Sequence, residues 1–327
     1  MIYGLVLRIR HLLYDKGWKK SFSAAVPTGC VGNITAGGTG KTPHVEMVLR
    51  LLIAQWKQPA VLSRGYKRKS KGFRTVPLDG SALQYGDEPV QIARKFPDIT
   101  VAVDKDRVHG CEALKGAGVI VLDDAFQYRR LRPTLSIVLV DYTRPIFKDR
   151  LLPYGHLRDL PSRLKRADVV LVTKCPAYLD NEEREFWRKS LKLKDGQPLF
   201  FTCIRYASPV GVFPDADTRY VYAKHCALIT GIAHNKLFRD YLSDTYKIDT
   251  QLELPDHHGF SRADIRRIAS AVKKQPTACL MTTEKDAQRL RDCKDMPEAV
   301  RKRLFYVPIE ATFLTPEEES AFADALV

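Results

Sequence analysis

Residues Gly32–Pro43 read Gly-Asn-Ile-Thr-Ala-Gly-Gly-Thr-Gly-Lys-Thr-Pro, and they lie between two segments of opposite character. Before them, Thr28–Gly32 predicts a short buried strand. After them, Thr42–Trp56 carries Val45, Val48, Leu49, Leu52 and Ile53 at helical spacing. Pro43 falls in the first turn of that helix, where a missing N–H costs little. A strand, a glycine-rich turn and a helix opening on Gly-Lys-Thr are the context of a phosphate-binding P-loop. Glycines let successive backbone N–H groups point at one phosphate, and the helix start adds its positive end. Lys41 would neutralise β and γ oxygens, and the Thr42 hydroxyl would ligate Mg²⁺. The candidate nucleotide-binding residues are therefore Gly37, Gly38, Thr39, Gly40, Lys41 and Thr42. The strict pattern wants glycine at the position of Thr35, so Gly37 and Gly38 must supply the flexibility. The bland alternative is a glycine-rich turn ahead of a helix.

The subclass can be narrowed from the residues around the loop. Partition-type ATPases carry a lysine just before the paired glycines, and this chain has Ala36 there. A GTPase would offer Asn-Lys-x-Asp, whereas the nearest candidate is Thr173-Lys174-Cys175-Pro176. Adenine is the default base. A second acidic group is needed for the metal, and Val119–Asp124 reads Val-Ile-Val-Leu-Asp-Asp. An apolar strand ending in Asp123 and Asp124 looks like a Walker-B strand. Asp at this place also favours a helix N-cap, so both readings stay open on these residues alone. Gly86-Asp87-Glu88-Pro89 leads into a helical pattern, where its carboxylates would complement a helix dipole, act as a base or touch the metal. Asp256-His257-His258 follows a strand further on, with no other His/Cys cluster to complete a zinc site.

Around these motifs the pattern is that of an α/β fold with a mostly parallel sheet flanked by helices. Further strands are expected at Ala60–Ser63, Ile99–Val103, Leu135–Val140 and Val169–Thr173, with basic loops at Arg64–Lys71 and Arg129–Arg132. A Pro-, Gly- and Asp-rich stretch, Ala207–Asp217, marks a boundary. Beyond it a second, smaller α/β set is expected, with strands near Ala227–Thr230, Gln251–Leu254, Ala278–Met281 and Phe305–Val307.

The chain has 327 residues and a formal net charge of +15, which attracts anionic lipid, nucleic acid or phosphorylated substrates without choosing among them. No zinc-finger spacing, basic zipper or RNP-like run accompanies the charge, so no nucleic-acid partner is expected. The seven cysteines are scattered, with no Cys-x-x-Cys, which reads as reduced thiols. No run reaches the roughly 20 apolar residues of a membrane-spanning helix. Residues 1–22 still stand out. Ile2, Leu5, Val6, Ile9, Leu12, Leu13 and Trp18 alternate with Arg8, Arg10, His11, Lys16, Lys19 and Lys20. The segment fits either an interfacial helix lying in lipid or an ordinary amphipathic helix packed on the domain.

Taken together the motifs resemble the tetraacyldisaccharide 4′-kinase family of the lipid A pathway. The matching pieces are Gly32–Pro43, Leu62–Tyr66, Gly86–Pro89, Leu122–Gln127, Leu151–Arg158, Pro255–Phe260 and Thr283–Asp286, in the family's order and over most of the chain. The resemblance implies a membrane-interface helix at 1–22, a P-loop kinase core at 23–206 and a C-terminal α/β lobe at 207–327, with Mg-ATP between the lobes. It implies phosphorylation of the 4′-hydroxyl of a tetraacyl disaccharide 1-phosphate at the cytoplasmic face of the inner membrane. The partners implied are the glycolipid and an anionic membrane surface, with no protein partner. By position it makes Asp87 the base, His257 its partner and Lys41 the phosphate-binding cation. Thr42, Glu88, Asp123 and Asp124 become metal ligands, and Arg64, Gln127 and Arg158 substrate contacts. Tyr128 departs from the family, which commonly has His there; Ala125 stands where Gly is common. Two rivals remain: a P-loop kinase with a soluble acceptor, and a nucleotide-switch ATPase using the basic helix to reach membranes.

Overall fold

The computed structural model describes residues 2–326, so Met1 and Val327, the outer ends of the expected first and last segments, lie outside it. In the first unit the β-branched runs form β1 (Thr28–Asn33), β2 (Pro59–Ser63), β3 (Arg74–Thr75), β4 (Thr100–Val103), β5 (Val119–Asp123), β6 (Leu135–Asp141), β7 (Val169–Thr173) and β8 (Leu199–Tyr206). They lie in the order β8-β7-β6-β1-β5-β2-β4-β3, parallel throughout except at the edge strand β3. Helices cover both faces, so β2, β5 and β7 are buried at every residue, which is why they read as continuous apolar runs. Parallel strands place all their carboxyl ends on one edge. The loops after β1, β2, β5, β6 and β7 therefore meet there, and such an edge is where α/β sheets bind ligands.

A second sheet follows, built of β9 (Val210–Gly211), β10 (His225–Thr230), β11 (Lys247–Glu253), β12 (Cys279–Thr283) and β13 (Leu304–Val307). Its order is β11-β10-β12-β13-β9, with only β9 antiparallel. The expected lobe at 207–327 is too long at its far end. After β13 the chain crosses back, and β14 (Ile309–Phe313) pairs antiparallel with β8 on the open edge of the first sheet. Helix Pro316–Asp324 follows it there. The reason is apolar cover. Ala311, Phe313 and Phe322 are buried in the same cluster as Val45, Leu49 and Leu52 of the P-loop helix, with Phe200 packed edge-on against Phe322. The P-loop helix itself spans Lys41–Ala54, ending earlier than the expected Trp56. Trp56 takes a positive φ of 58° and is 93 % exposed.

The N-terminal helix is likewise shorter than the segment 1–22, running Ile2–Asp15. One side docks on the core: Leu7 and His11 are buried, His11 Nε2 is 2.6 Å from Asp159, and the Tyr3 hydroxyl donates to the Arg158 carbonyl at 2.8 Å. Arg10 belongs to this side too, donating to the Gln127 carbonyl at 2.6 Å. The other side leaves Ile2, Leu5, Val6, Ile9 and Leu12 exposed in a row.

Candidate active site

The P-loop is fixed from beneath and beside. Gly40 ends it with φ at 81°, a left-handed conformation open to glycine, and the helix begins at the next residue. Asn33 Nδ2 donates to the Thr39 hydroxyl at 2.5 Å, and the Thr173 hydroxyl donates to the Thr39 carbonyl at 3.0 Å. Lys174 reaches from the end of β7 to the Gly38 carbonyl at 2.5 Å and to Asp141 at 2.7 Å. Thus the Thr-Lys pair that fails as a guanine reader serves the loop instead.

His44 is a third tie. It is fully buried, with Nδ1 2.7 Å from the Gly40 carbonyl and Nε2 2.8 Å from the Thr202 hydroxyl. A carbonyl only accepts, so Nδ1 carries the proton and Nε2 accepts from Thr202. Burial pushes its pKa down to about 4, so the ring is neutral. The folded value lies below that of the unfolded chain. Stability from this residue is therefore complete above the unfolded pKa and is lost as pH falls toward 4, by roughly 3 kcal/mol. Denaturant titrations over this range should show that slope in the wild type and a shallower one in His44→Gln. Equal slopes would remove His44 as the cause.

Asp123 and Asp124, at the end of β5, behave differently. Asp123 is buried and accepts the Ser63 hydroxyl at 2.8 Å. Burial, then the charges of Asp124 and Glu88, push its pKa up to about 6. Asp124 takes a positive φ of 50° and is bridged by Arg158, with Lys41 Nζ 3.9 Å away. Burial raises its pKa, but Lys41 and Arg158 outweigh that and hold it below the ordinary carboxylate range. Arg158 also binds the Asn33 side chain, and Gln127 Nε2 donates to the Asn33 carbonyl. These two expected substrate contacts are thus engaged by the protein itself, under the loop. Buried polar groups need partners, and β1 and Asp124 provide them at this depth. Arg64, by contrast, is exposed and makes no side-chain hydrogen bond or ion pair among the described residues.

The structure brings Asp87 and His257 together across the two lobes. Asp87 opens helix Asp87–Lys95 and is buried, and its Oδ2 lies 2.9 Å from His257 Nδ1. Burial raises its pKa, but the His257 hydrogen bond and the charges of Arg289 and Lys285 win and hold it low. His257 sits in the loop after β11 with its ring edge-on to Tyr66, centroids 5.1 Å apart. Lys285 Nζ lies 3.1 Å from His257 Nε2. An ammonium only donates, so Nε2 must accept and Nδ1–H must donate to an ionised Asp87.

Glu88, expected among the metal ligands, is paired with Lys285 at 3.1 Å. Donor atoms of Asp87, Glu88 and His257 lie within 4.8 Å of one another, a spacing that could hold an ion, but the Lys285 ammonium already supplies positive charge there. Sequence reasoning gave Lys285 no role, although Thr283–Asp286 stood out as a motif. It also missed Lys95, which bridges Glu46 of the P-loop helix at 2.7 Å to Glu284 of the second lobe at 3.3 Å. Beside Arg94 in the last turn of its helix, Lys95 reads as ordinary dipole-complementing charge and carried no local signal of that bridge.

A P-loop on a parallel sheet, a Walker-B acid pair and a second lobe closing over the same edge define a P-loop phosphotransferase. The family model described as tetraacyldisaccharide-1-P 4′-kinase matches residues 1–327. Proteins named tetraacyldisaccharide 4′-kinase are 41 % identical in Phocaeicola vulgatus, over 97 % of this chain and 90 % of the relative, and 40 % identical in Flavobacterium johnsoniae, over 97 % and 92 %. The crystal structure of the "apo" form of LpxK from Aquifex aeolicus in complex with ATP superposes with a TM-score of 0.74, at 28 % identity, covering 99 % of this chain and 95 % of that one. The chain belongs to the tetraacyldisaccharide-1-P 4′-kinase family and is a kinase.

Proposed function

We propose that this kinase transfers the γ-phosphoryl group of ATP to the 4′-hydroxyl of a tetraacyl disaccharide 1-phosphate, with Mg²⁺, at a membrane surface. The observation that carries the reading is the Asp87–His257 pair, formed across the lobes at 2.9 Å beside the P-loop edge. A sugar hydroxyl is a poor nucleophile near neutral pH, so a positioned acceptor for its proton helps the attack. Asp87, held ionised, takes that proton while the sugar oxygen bonds to the γ-phosphorus and the bond to the β–γ bridging oxygen breaks, leaving ADP. His257 orients the carboxylate, and Lys285 fixes the histidine tautomer. Lys41 and the loop N–H groups neutralise phosphate oxygens, and positioning supplies much of the rate. Asp123, Asp124 and the Thr42 hydroxyl are hard oxygen donors of the kind that suits a divalent cation, with Asp123 and Asp124 adjacent at the end of β5. When bound, Mg²⁺ would supply charge neutralisation for the phosphates. Arg64 is available to an anionic acceptor.

The test is direct. Protein, Mg-ATP and a tetraacyl disaccharide 1-phosphate should yield the bisphosphorylated lipid; no product where an established family member is active would reject the acceptor.

The exposed row Ile2, Leu5, Val6, Ile9 and Leu12 supports a helix lying in the lipid interface, with Arg8, Lys16, Lys19 and Lys20 near lipid phosphates. Leu5→Glu with Ile9→Glu removes apolar surface that touches little of the core. Burying each side chain in lipid is worth about 1.5–3 kcal/mol, so vesicle partitioning should drop more than tenfold with the melting temperature unchanged. Equal sedimentation of wild type and variant with phosphatidylglycerol-containing vesicles would reject the interfacial role.

A further inference from the structure

Arg144 follows β6 in the loop Tyr142–Pro145 and bends toward the P-loop. Both terminal guanidinium nitrogens, Nη1 and Nη2, are buried and find no hydrogen-bond partner among the described residues. A Cβ added at Gly37 would stand 3.6 Å from each of them and 4.0 Å from His234 Nε2. Gly37 has a φ of 95°, a backbone conformation that strains any residue with a side chain. The nearest carboxylate is Asp141, 3.6 Å from Arg144 Nη2, but it is already bound by Lys174 at 2.7 Å and by the Thr143 hydroxyl at 2.7 Å. His234 comes from the loop after β10, in the second lobe. Burial, then the charges of Arg144 and Lys174, hold its pKa below the usual histidine range, so it brings no charge at neutral pH.

A buried guanidinium with two unused donors is costly unless an anion meets it. Its place gives the anion. Lys41 stands at the helix end of the loop and Arg144 at the opposite end, beside Gly37, so phosphates lying along the loop pass between two cations. Ala36 leaves the loop without the lysine that partition-type loops carry at that end. We propose that Arg144 is a catalytic arginine supplied in cis, which contacts the transferring phosphoryl group through Nη1 and Nη2. It rests on the phosphotransfer reading above. During transfer, negative charge spreads over the equatorial oxygens of the transferring phosphoryl group and the β–γ bridging oxygen as the bond to ADP breaks. A guanidinium held here stabilises that charge more than it stabilises bound ATP, as arginine fingers do.

The experiment compares wild type, Arg144→Ala and Arg144→Lys in three measurements. Binding of Mg-ADP and of Mg-ADP with aluminium fluoride, a mimic of the transferring phosphoryl, is read by calorimetry. For Arg144→Ala the fluoride complex should weaken at least 100-fold while ADP affinity stays within threefold. Glycolipid phosphorylation should lose at least 100-fold in kcat, with KM for ATP within a few-fold, and Arg144→Lys should recover part of it. The melting temperature of the nucleotide-free protein should not fall, because the lost nitrogens make no hydrogen bond and only a loose 3.6 Å ion pair with Asp141, which Lys174 already neutralises. Unchanged affinity for the fluoride complex would overturn the proposal. So would an equal loss for ADP, which would make Arg144 a ground-state anchor, or a lowered melting temperature with kcat retained. If the wild type gives no bisphosphorylated lipid, the acceptor reading fails, and the comparison of ADP with its fluoride complex still decides Arg144.

Discussion

Asp87→Asn should lower kcat by about 10²–10⁴-fold, the range that a positioned general base contributes, with ATP affinity nearly unchanged. The substitution keeps the shape of the carboxylate and removes its charge and basicity. Asp87 has its hydrogen bond to His257 at 2.9 Å and Arg289 Nε at 3.6 Å, so the amide can still be held in place. His257→Ala should lower kcat as well. The double variant should lose less than the product of the two single losses, because either change already disables the pair. Independent, multiplying losses, or a main effect on ATP affinity, would make Asp87 a metal or nucleotide contact. On the proposed mechanism the arrangement would tie chemistry to lobe closure. Asp87 belongs to the first lobe, whereas His257, Lys285 and Arg289 belong to the second, and the bridge Glu46–Lys95–Glu284 holds the two in register.

Lys41→Ala should reduce turnover by about 10²–10³-fold or more in a folded protein, since it removes a charge aimed where negative charge develops. Its pairing with Asp124 at 3.9 Å is loose, and such partly exposed pairs contribute little to stability. The melting temperature should therefore stay near that of the wild type while the glycolipid assay collapses. Near-normal turnover in the purified variant would mean that the loop is only structural.

The P-loop, the helix after it, the acidic strand end and most strands of the first sheet are legible from the residues alone. Each of these is a local pattern whose physics is complete within about fifteen residues: apolar runs for strands buried on both faces, a 3.6-residue period, glycines beside Gly-Lys-Thr. The resemblance named Asp87 and His257, but nothing local could say that residues 170 positions apart share a hydrogen bond. Which polar residues face the ligand edge follows from the folded arrangement. It turned Arg158 and Gln127 inward to Asp124 and Asn33, gave Glu88 to Lys285, and aimed Arg144 at Gly37 with its donors unused. A charged side chain carries the same letter whether it faces solvent, a neighbour or a phosphate, and burial with its available partners makes the difference. The same holds for the end of the chain. Ile309–Phe313 has the composition of a strand, but its sheet was set by the open edge of β8 and by the buried face that Phe313 and Phe322 complete against the P-loop helix.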